Sequence, residues 1–315
     1  MAATGPIVAT ALTDLVPRLL QSEGLVEVAS ALARGESASV DGAWGSSCAL
    51  TAAAIASRTA GTLLVVLPRP SEVDDFAADV LGFLGVAPDV FPAWESLPQE
   101  SGVRDPIYGG RLRVLRRLGS SDPPRVVVTS MAALLQPVPP RADRVAGTRI
   151  VRVGATLDID GLLRWLVEQG FEHVPAIEIP GEFCMHGGIL DLFPADAEDP
   201  IRIELFGNEV ESIRRFDAET QRKLEDLTEV ELTIVGARKE TVDADSTPAD
   251  GKGRSGGQSV GESLIDSLPT GTRIALGELA DIVEEGKTYL NRMENPRGLF
   301  TVAHTMERLT KFPSL

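Results

Sequence analysis

The amino-acid sequence predicts an α/β fold: a parallel sheet flanked by helices, with a smaller inserted α+β domain built on an antiparallel sheet. Three observations carry this. The apolar runs Leu63 to Leu67 and Arg125 to Thr129 lack polar alternation and read as strands buried on both faces, as parallel strands are. Helical stretches separate such runs, the alternation that builds a parallel sheet. From about residue 150 the chain changes to closely spaced strands joined by tight polar turns, the mark of antiparallel pairing.

The elements follow in order. Residues 9–34 carry apolar groups at helical spacing and stop near Gly35. Ala38 to Val40 leads into a glycine-containing loop, Asp41 to Ala49, and then an alanine-rich helix to Arg58. After the Leu63 strand, Ser71 is the expected N-cap of a helix through Val80 to Leu84. Val90-Phe91 gives a short strand, a basic helix follows, and the Arg125 strand closes the α/β part at about residues 20–145. Next come a strand at Ile150 to Val153 and an amphipathic helix at Ile159 to Gln169 stopped by Gly170. Strands are expected at Phe183 to Phe193, Ile201 to Phe206 and Glu209 to Phe216, with turns at Asp196–Pro200 and Gly207-Asn208. Val230 to Ile234 is a further candidate strand. Residues 237–262 are poor in apolar groups and read as a flexible linker or loop. Arg273 to Leu276 is a last strand, before a helix from Leu279 through Leu290. In the smaller domain Phe183, Phe193, Leu205, Phe206 and Phe216 are the expected core aromatics and aliphatics.

Composition limits the function. At 315 residues, 43% hydrophobic and 24% charged, the chain has room for two or three ordinary globular domains. No apolar run has the length of a membrane span, and the first twelve residues lack the basic start of a secretory signal. Cys48 and Cys184 match no disulfide or zinc spacing, so a reducing cytoplasm is expected. A net charge of −16 argues against DNA binding by the whole surface and favours a basic protein partner. Residues 151–236 hold 19 acidic against 7 basic residues, whereas Arg104, Arg111, Arg113, Arg116 and Arg117 face only Asp105 in their segment. Such asymmetry marks separate surfaces with separate partners, the plain alternative being a solvated acidic domain and a basic helix face.

One ordered series of motifs resembles a known family. Gly181-Glu182-Phe183, His186-Gly187-Gly188-Ile189-Leu190-Asp191-Leu192-Phe193-Pro194, Arg202 to Phe206 and Glu209 to Asp217 resemble domain 2 of the excision-repair protein UvrB and its counterpart in transcription-repair coupling factors (Mfd). Phe91 to Pro98, Ala132 to Pro140 and Thr220-Gln221-Arg222 are similar to the coupling-factor version. The resemblance covers roughly residues 20–315. It implies a degenerate helicase-like (RecA-type) lobe, its first part at 1–145, domain 2 at 146–236, the linker at 237–262, and a return segment at 263–315 that completes the lobe. Full-length relatives also carry a polymerase-binding module and a translocase motor, so an N-terminal piece or truncated product is expected.

The resemblance sets two sites against their patterns. A working phosphate loop needs glycines, a Lys for the terminal phosphates and a Ser or Thr for Mg²⁺. Here the loop reads Gly42-Ala43-Trp44-Gly45-Ser46-Ser47-Cys48-Ala49: Ser47 replaces the third Gly, Cys48 the Lys and Ala49 the metal ligand. In the acidic motif Gly277 replaces the leading Asp, and Glu278 survives. Phosphoryl transfer depends on those charges, so this chain is expected to be no enzyme and to hold no nucleotide cofactor. A weak anion contact at the helix start near Ser46 stays open.

The DNA and protein partners are read the same way. UvrB verifies damage with an aromatic hairpin; here only Gln99 to Val103 fills that place, and Tyr108 is the one nearby aromatic. Arg113, Arg116 and Arg117 share a helix face opposite Leu112, Leu115 and Leu118, so a weak backbone contact to DNA remains an alternative. In the family, domain 2 binds UvrA through arginines. The corresponding positions here are Cys184 and His186, on one strand face, and His173, often basic in coupling factors. Arg202 and Glu204 are further docking candidates, or a structural ion pair with each other. His173, Cys184 and His186 are too few to indicate a metal site. The resemblance therefore implies UvrA recruitment in transcription-coupled repair and contact with the parent's motor domains.

Overall fold

In the computed structural model the described residues are 11–94, 102–233, 261–293, 296 and 298–315. Most of the expected linker at 237–262, the Gln99–Ser101 stretch and Ile234 lie outside them. The helices in chain order are α1 (Leu15–Leu19), α2 (Glu23–Ala33), α3 (Ser46–Arg58), α4 (Val73–Leu84), α5 (Pro106–Leu118), α6 (Met131–Leu135), α7 (Arg141–Ala146), α8 (Ile159–Glu168), α9 (Leu279–Arg292) and α10 (Val302–Leu309). The strands are β1 (Leu63–Leu67), β2 (Asp89–Phe91), β3 (Val126–Ser130), β4 (Thr148–Arg152), β5 (Glu172–His173) and β6 (Glu182–His186), then β7 (Ile189–Leu192), β8 (Ile201–Phe206), β9 (Glu209–Phe216), β10 (Lys223–Leu227), β11 (Glu229–Thr233) and β12 (Arg273–Leu276). The chain divides into two compact units, residues 1–96 with 114–137 and 263–315, and residues 97–113 with 138–262.

The first unit holds a parallel sheet in the order β12-β1-β3-β2, as the apolar runs predict. β1 and β3 are buried at every position, because helices cover both faces. The alanines of α3 are buried to the last methyl and let that helix lie close to β1. Pro313 to Leu315 pair alongside β12: Ile274 N–H donates to Pro313 O, and Leu315 N–H to Ile274 O. Two motifs of the sequence series meet through one side chain. The Gln136 amide donates to Trp94 O at 2.7 Å and accepts from Trp94 N–H at 3.1 Å. It also donates to the Tyr289 hydroxyl. Ser71 is not a helix cap: it lies inside a 3-10 turn, Pro70–Glu72, and Glu72 precedes α4. Pro70 at the first position of that turn starts the helical course earlier than Ser71 does.

The second unit is built on a six-stranded sheet in the order β10-β9-β8-β7-β6-β5, with β4 and β11 forming a separate two-stranded sheet. All its pairings are antiparallel except β5 with β6. The expected strand from Phe183 to Phe193 is two strands, β6 and β7, turned at Gly187-Gly188. Glycine is needed there: Gly187 has φ +58°, and a Cβ on Gly188 would lie 2.6 Å from Leu205 O of the adjoining strand. One face of the sheet packs Phe183, Leu190, Leu192, Ile201, Ile203, Val210 and Ile213 against Leu162 and Leu166 of α8.

Candidate functional site

The sequence points to a dead phosphate loop and a docking surface, one in each unit. In the loop, Gly42 and Gly45 have positive φ, +80° and +52°, so both glycines serve the backbone turn. Ser47 closes the loop on itself: its hydroxyl accepts from Trp44 N–H at 2.6 Å and donates to Trp44 O at 2.8 Å. Ser47 N–H donates to Trp44 O and Cys48 N–H to Gly45 O. Gly42 N–H donates to the Asp41 carboxylate. Four amides of the loop, those of Gly42, Trp44, Ser47 and Cys48, are thus bonded within the chain. Cys48 is half-buried, and burial followed by the charge of Glu278 pushes its thiol up. The fold therefore brings the two degenerate motifs together, with Gly277 N–H on Val66 O and Glu278 opening α9 at φ +52°.

The docking candidates lie on the second unit's sheet. Strand alternation puts Cys184, His186, Arg202 and Glu204 on the face opposite α8. Register aligns them in two rows, Cys184–Asp191–Arg202–Arg214 and His186–Ile189–Glu204–Ser212. Arg202 and Glu204 do not pair with each other. Cross-strand neighbours are nearer than residues two apart on one strand, and each takes one. Arg202 binds Asp191 through Nε and Nη2 at 2.6 and 2.7 Å, reaches Gln221 Oε1 at 3.0 Å, and lies 4.5 Å over the Phe216 ring. Glu204 accepts from Ser212 and Arg214, each at 2.7 Å. The Ser212 hydroxyl bond first, against partial burial and with Arg214, holds the Glu204 carboxyl below its ordinary range. The Cys184 thiol donates to Pro175 O at 3.2 Å and lies 2.8 Å from His186 Nδ1.

His173 does not join them. Its strand, β5, pairs in register with β6 so that His173 sits beside Phe183, ring centroids 5.2 Å apart, on the α8 face. There it lines a shallow groove of about 510 Å³ with Leu163, Val167 and Met185. Among the described residues no group of three His, Cys, Asp or Glu is placed to hold a metal ion.

One residue was placed wrongly by composition. Phe206, expected in the core, is 81% exposed. It continues the β8 alternation of Arg202 and Glu204, on the strand next to β7, whose Ile189 is 38% exposed. That parity was the available signal.

The arginine segment turns inward. Arg113 holds the Asp196–Glu198 turn, donating to Asp196 O, Ala197 O and the Glu198 carboxylate. Arg117 pairs with Asp89, Arg104 with Glu172, and Arg111 is fully buried. Arg116 is half-buried, while Leu112, Leu115 and Leu118 are core residues as expected. Tyr108 is buried as well, so it offers no ring to a base.

Residues 150–237 match the family model described as the UvrB interaction domain. The chain therefore contains a UvrB interaction domain. It is also similar to curated transcription-repair-coupling factors. Identity is 38% over 187 residues with that of Mycobacterium bovis, covering 56% of this chain and 15% of the relative. With that of Myxococcus xanthus it is 35% over 232 residues, covering 71% and 18%. With that of Escherichia coli it is 30% over 189 residues, covering 60% and 16%. The chain thus spans less than a fifth of the length of these relatives; within the matched domain His186 is exposed and Arg202 and Glu204 are half-buried, while Cys184 is buried with Ile177, Phe193 and Phe216. No helix among the described residues is long and apolar enough to cross a membrane.

Proposed function

We propose that this chain is a non-catalytic interaction module of a transcription-repair coupling factor, and that the open face of its six-stranded sheet recruits UvrA. The observation that carries the reading is Phe206. A large aromatic left in water, on the strand next to exposed Ile189 and following the ion-paired Arg202 and Glu204, has the make-up of an interface anchor with a polar surround. The Arg202 and Glu204 pairs hold the face rigid, so little order is lost on docking.

The reading without catalysis is supported by the self-bonded loop and by Cys48 at the lysine position of a degenerate helicase-like lobe. The motor domains of a longer parent are the second partner that the resemblance supplies. If they cover the same face, they restrain the motor and compete with UvrA. A cytoplasmic setting goes with both partners. A grip on duplex DNA has less support, because Arg113 and Arg117 are spent on carbonyls and carboxylates of this chain.

The test is calorimetric titration of the whole chain with purified UvrA. The expected Kd is about 1 µM or tighter, with Phe206→Ala and His186→Ala each weakening it about tenfold. Absence of binding, or binding untouched by both changes, rejects this face as the docking site.

A further inference from the structure

A cavity of about 430 Å³ opens in the first unit at the amino end of β12, the opposite end of that strand from Glu278. Open parallel sheets hold their ligands at the carboxyl ends of their strands, so this cavity is distinct from the former phosphate-loop crevice. The chain reaches it three times: where α2 ends, where β12 begins, and just after α10. Its volume is that of a small-molecule site.

Charge around this cavity is one-sided. Of its ten lining residues Arg34, Arg273 and Lys311 are cations and none is acidic, in a chain whose net charge is −16. Half-buried Arg273 is fixed in place: Nε donates to Leu32 O at 3.3 Å, and Nη1 donates to Gly271 O at 3.2 Å and to Ala60 O. Those acceptors are neutral, so its charge stays uncompensated, and among the described residues Nη2 donates to nothing. Lys311 is exposed and has no ion-pair partner among the described residues. Arg34 pairs with Glu36, but both side chains are more than half exposed, and such pairs are weakly held. A cation withdrawn from water calls for an anion beside it. The helix-end carbonyls that would repel one are already bonded: Leu32 O accepts from Gly35 N–H, Arg308 O from Lys311 N–H and Leu309 O from Phe312 N–H. Two cations suit a dianion better than a single carboxylate, and a guanidinium edge with an ammonium matches phosphate oxygens. Leu32, Phe312 and Pro313 add an apolar wall for an organic body.

We propose that this cavity binds a small organic phosphate monoester, its phosphate between Arg273 Nη2 and Lys311 Nζ and its organic part against Phe312 and Pro313. The site is separate from the UvrA face, and neither proposal depends on the other.

The probe is phenyl phosphate, titrated into the whole chain by calorimetry, with inorganic phosphate and benzoate as comparisons. Phenyl phosphate is expected to bind with a Kd of about 1 mM or tighter, and about fivefold more tightly than either comparison. Lys311→Gln should weaken it about tenfold. Lys287→Gln, the same charge change on the exposed side of α9, should leave it unchanged. No saturable binding, or an equal loss in the two variants, overturns the proposal, because the anion then reads only diffuse charge. Benzoate as tight as phenyl phosphate overturns the choice of phosphate, and inorganic phosphate as tight overturns the organic part. Lys311 and Lys287 are both exposed, so neither change disturbs folding, and Arg273, which also ties the backbone together, is left intact.

Discussion

The phosphate-loop end of the parallel unit and the open face of the antiparallel unit differ in how their polar groups are satisfied. In the loop, the amides of Gly42, Trp44, Ser47 and Cys48 are bonded within a few residues of themselves. On the sheet face, side chains bond across strands, Arg202 to Asp191 and Glu204 to Arg214, and this order frames the uncovered Phe206. Polar groups satisfied inward close a site to small anions. Polar groups that brace an uncovered aromatic leave a surface ready for a protein.

The strongest way to break the comparison pairs two apolar truncations. Leu64→Ala, at 0% exposure in β1, should cost about 2–5 kcal/mol of stability, read from the urea midpoint. Phe206→Ala should leave stability within about 0.5 kcal/mol while weakening UvrA binding about tenfold. Equal losses of stability in both would show that Phe206 is a core residue after all.

Next in size is Arg202→Ala. It strips the guanidinium from a mostly buried Asp191 carboxylate and should cost about 1–3 kcal/mol. Arg202→Lys should recover only part, since an ammonium supplies neither the two-pronged bond nor the flat stack on Phe216. Full recovery by Lys would reduce the pair to simple charge.

Ser47→Ala sharpens the loop side. Losing the hydroxyl that binds Trp44 should cost about 1 kcal/mol and leave UvrA binding unchanged. A loop that keeps full stability would mean that Ser47 is not what closes it.

The smallest effect is one of pH. Glu204 is held below its ordinary carboxyl range, so its contribution is fully present above the unfolded value of about 4.3 and is lost as pH falls through the lower folded value. In Glu204→Gln the loss of stability on acidification below that range should be shallower than in wild type. Identical acid slopes would show that the Ser212 and Arg214 contacts persist around a protonated carboxyl.

Legibility in the sequence followed burial. β1 and β3 are apolar throughout because both faces are covered, and α8 shows its stripe because only one face is. β10, Lys-Leu-Glu-Asp-Leu, is nearly all exposed and has no apolar pattern. It is a strand because β9 supplies its partners, and its charge is what an exposed sheet edge carries. α10 escaped notice because its turn of exposed His304 and Glu307 hides the buried Val302, Thr305 and Leu309. Phe206 was misjudged because hydrophobicity argues for the inside, while its parity with Arg202 and Glu204 argues for the outside.

The sequence by itself determined the mixed α/β class, the family resemblance and the missing Lys and metal ligands, since each is a matter of which residue stands in a local run. Only the tertiary structure decided which candidates share a surface. Parallel pairing of β5 takes His173 to the α8 face, and antiparallel register lines up Arg202 with Asp191. Such pairings depend on strand register and helix packing between residues far apart in the chain, and no local pattern encodes them.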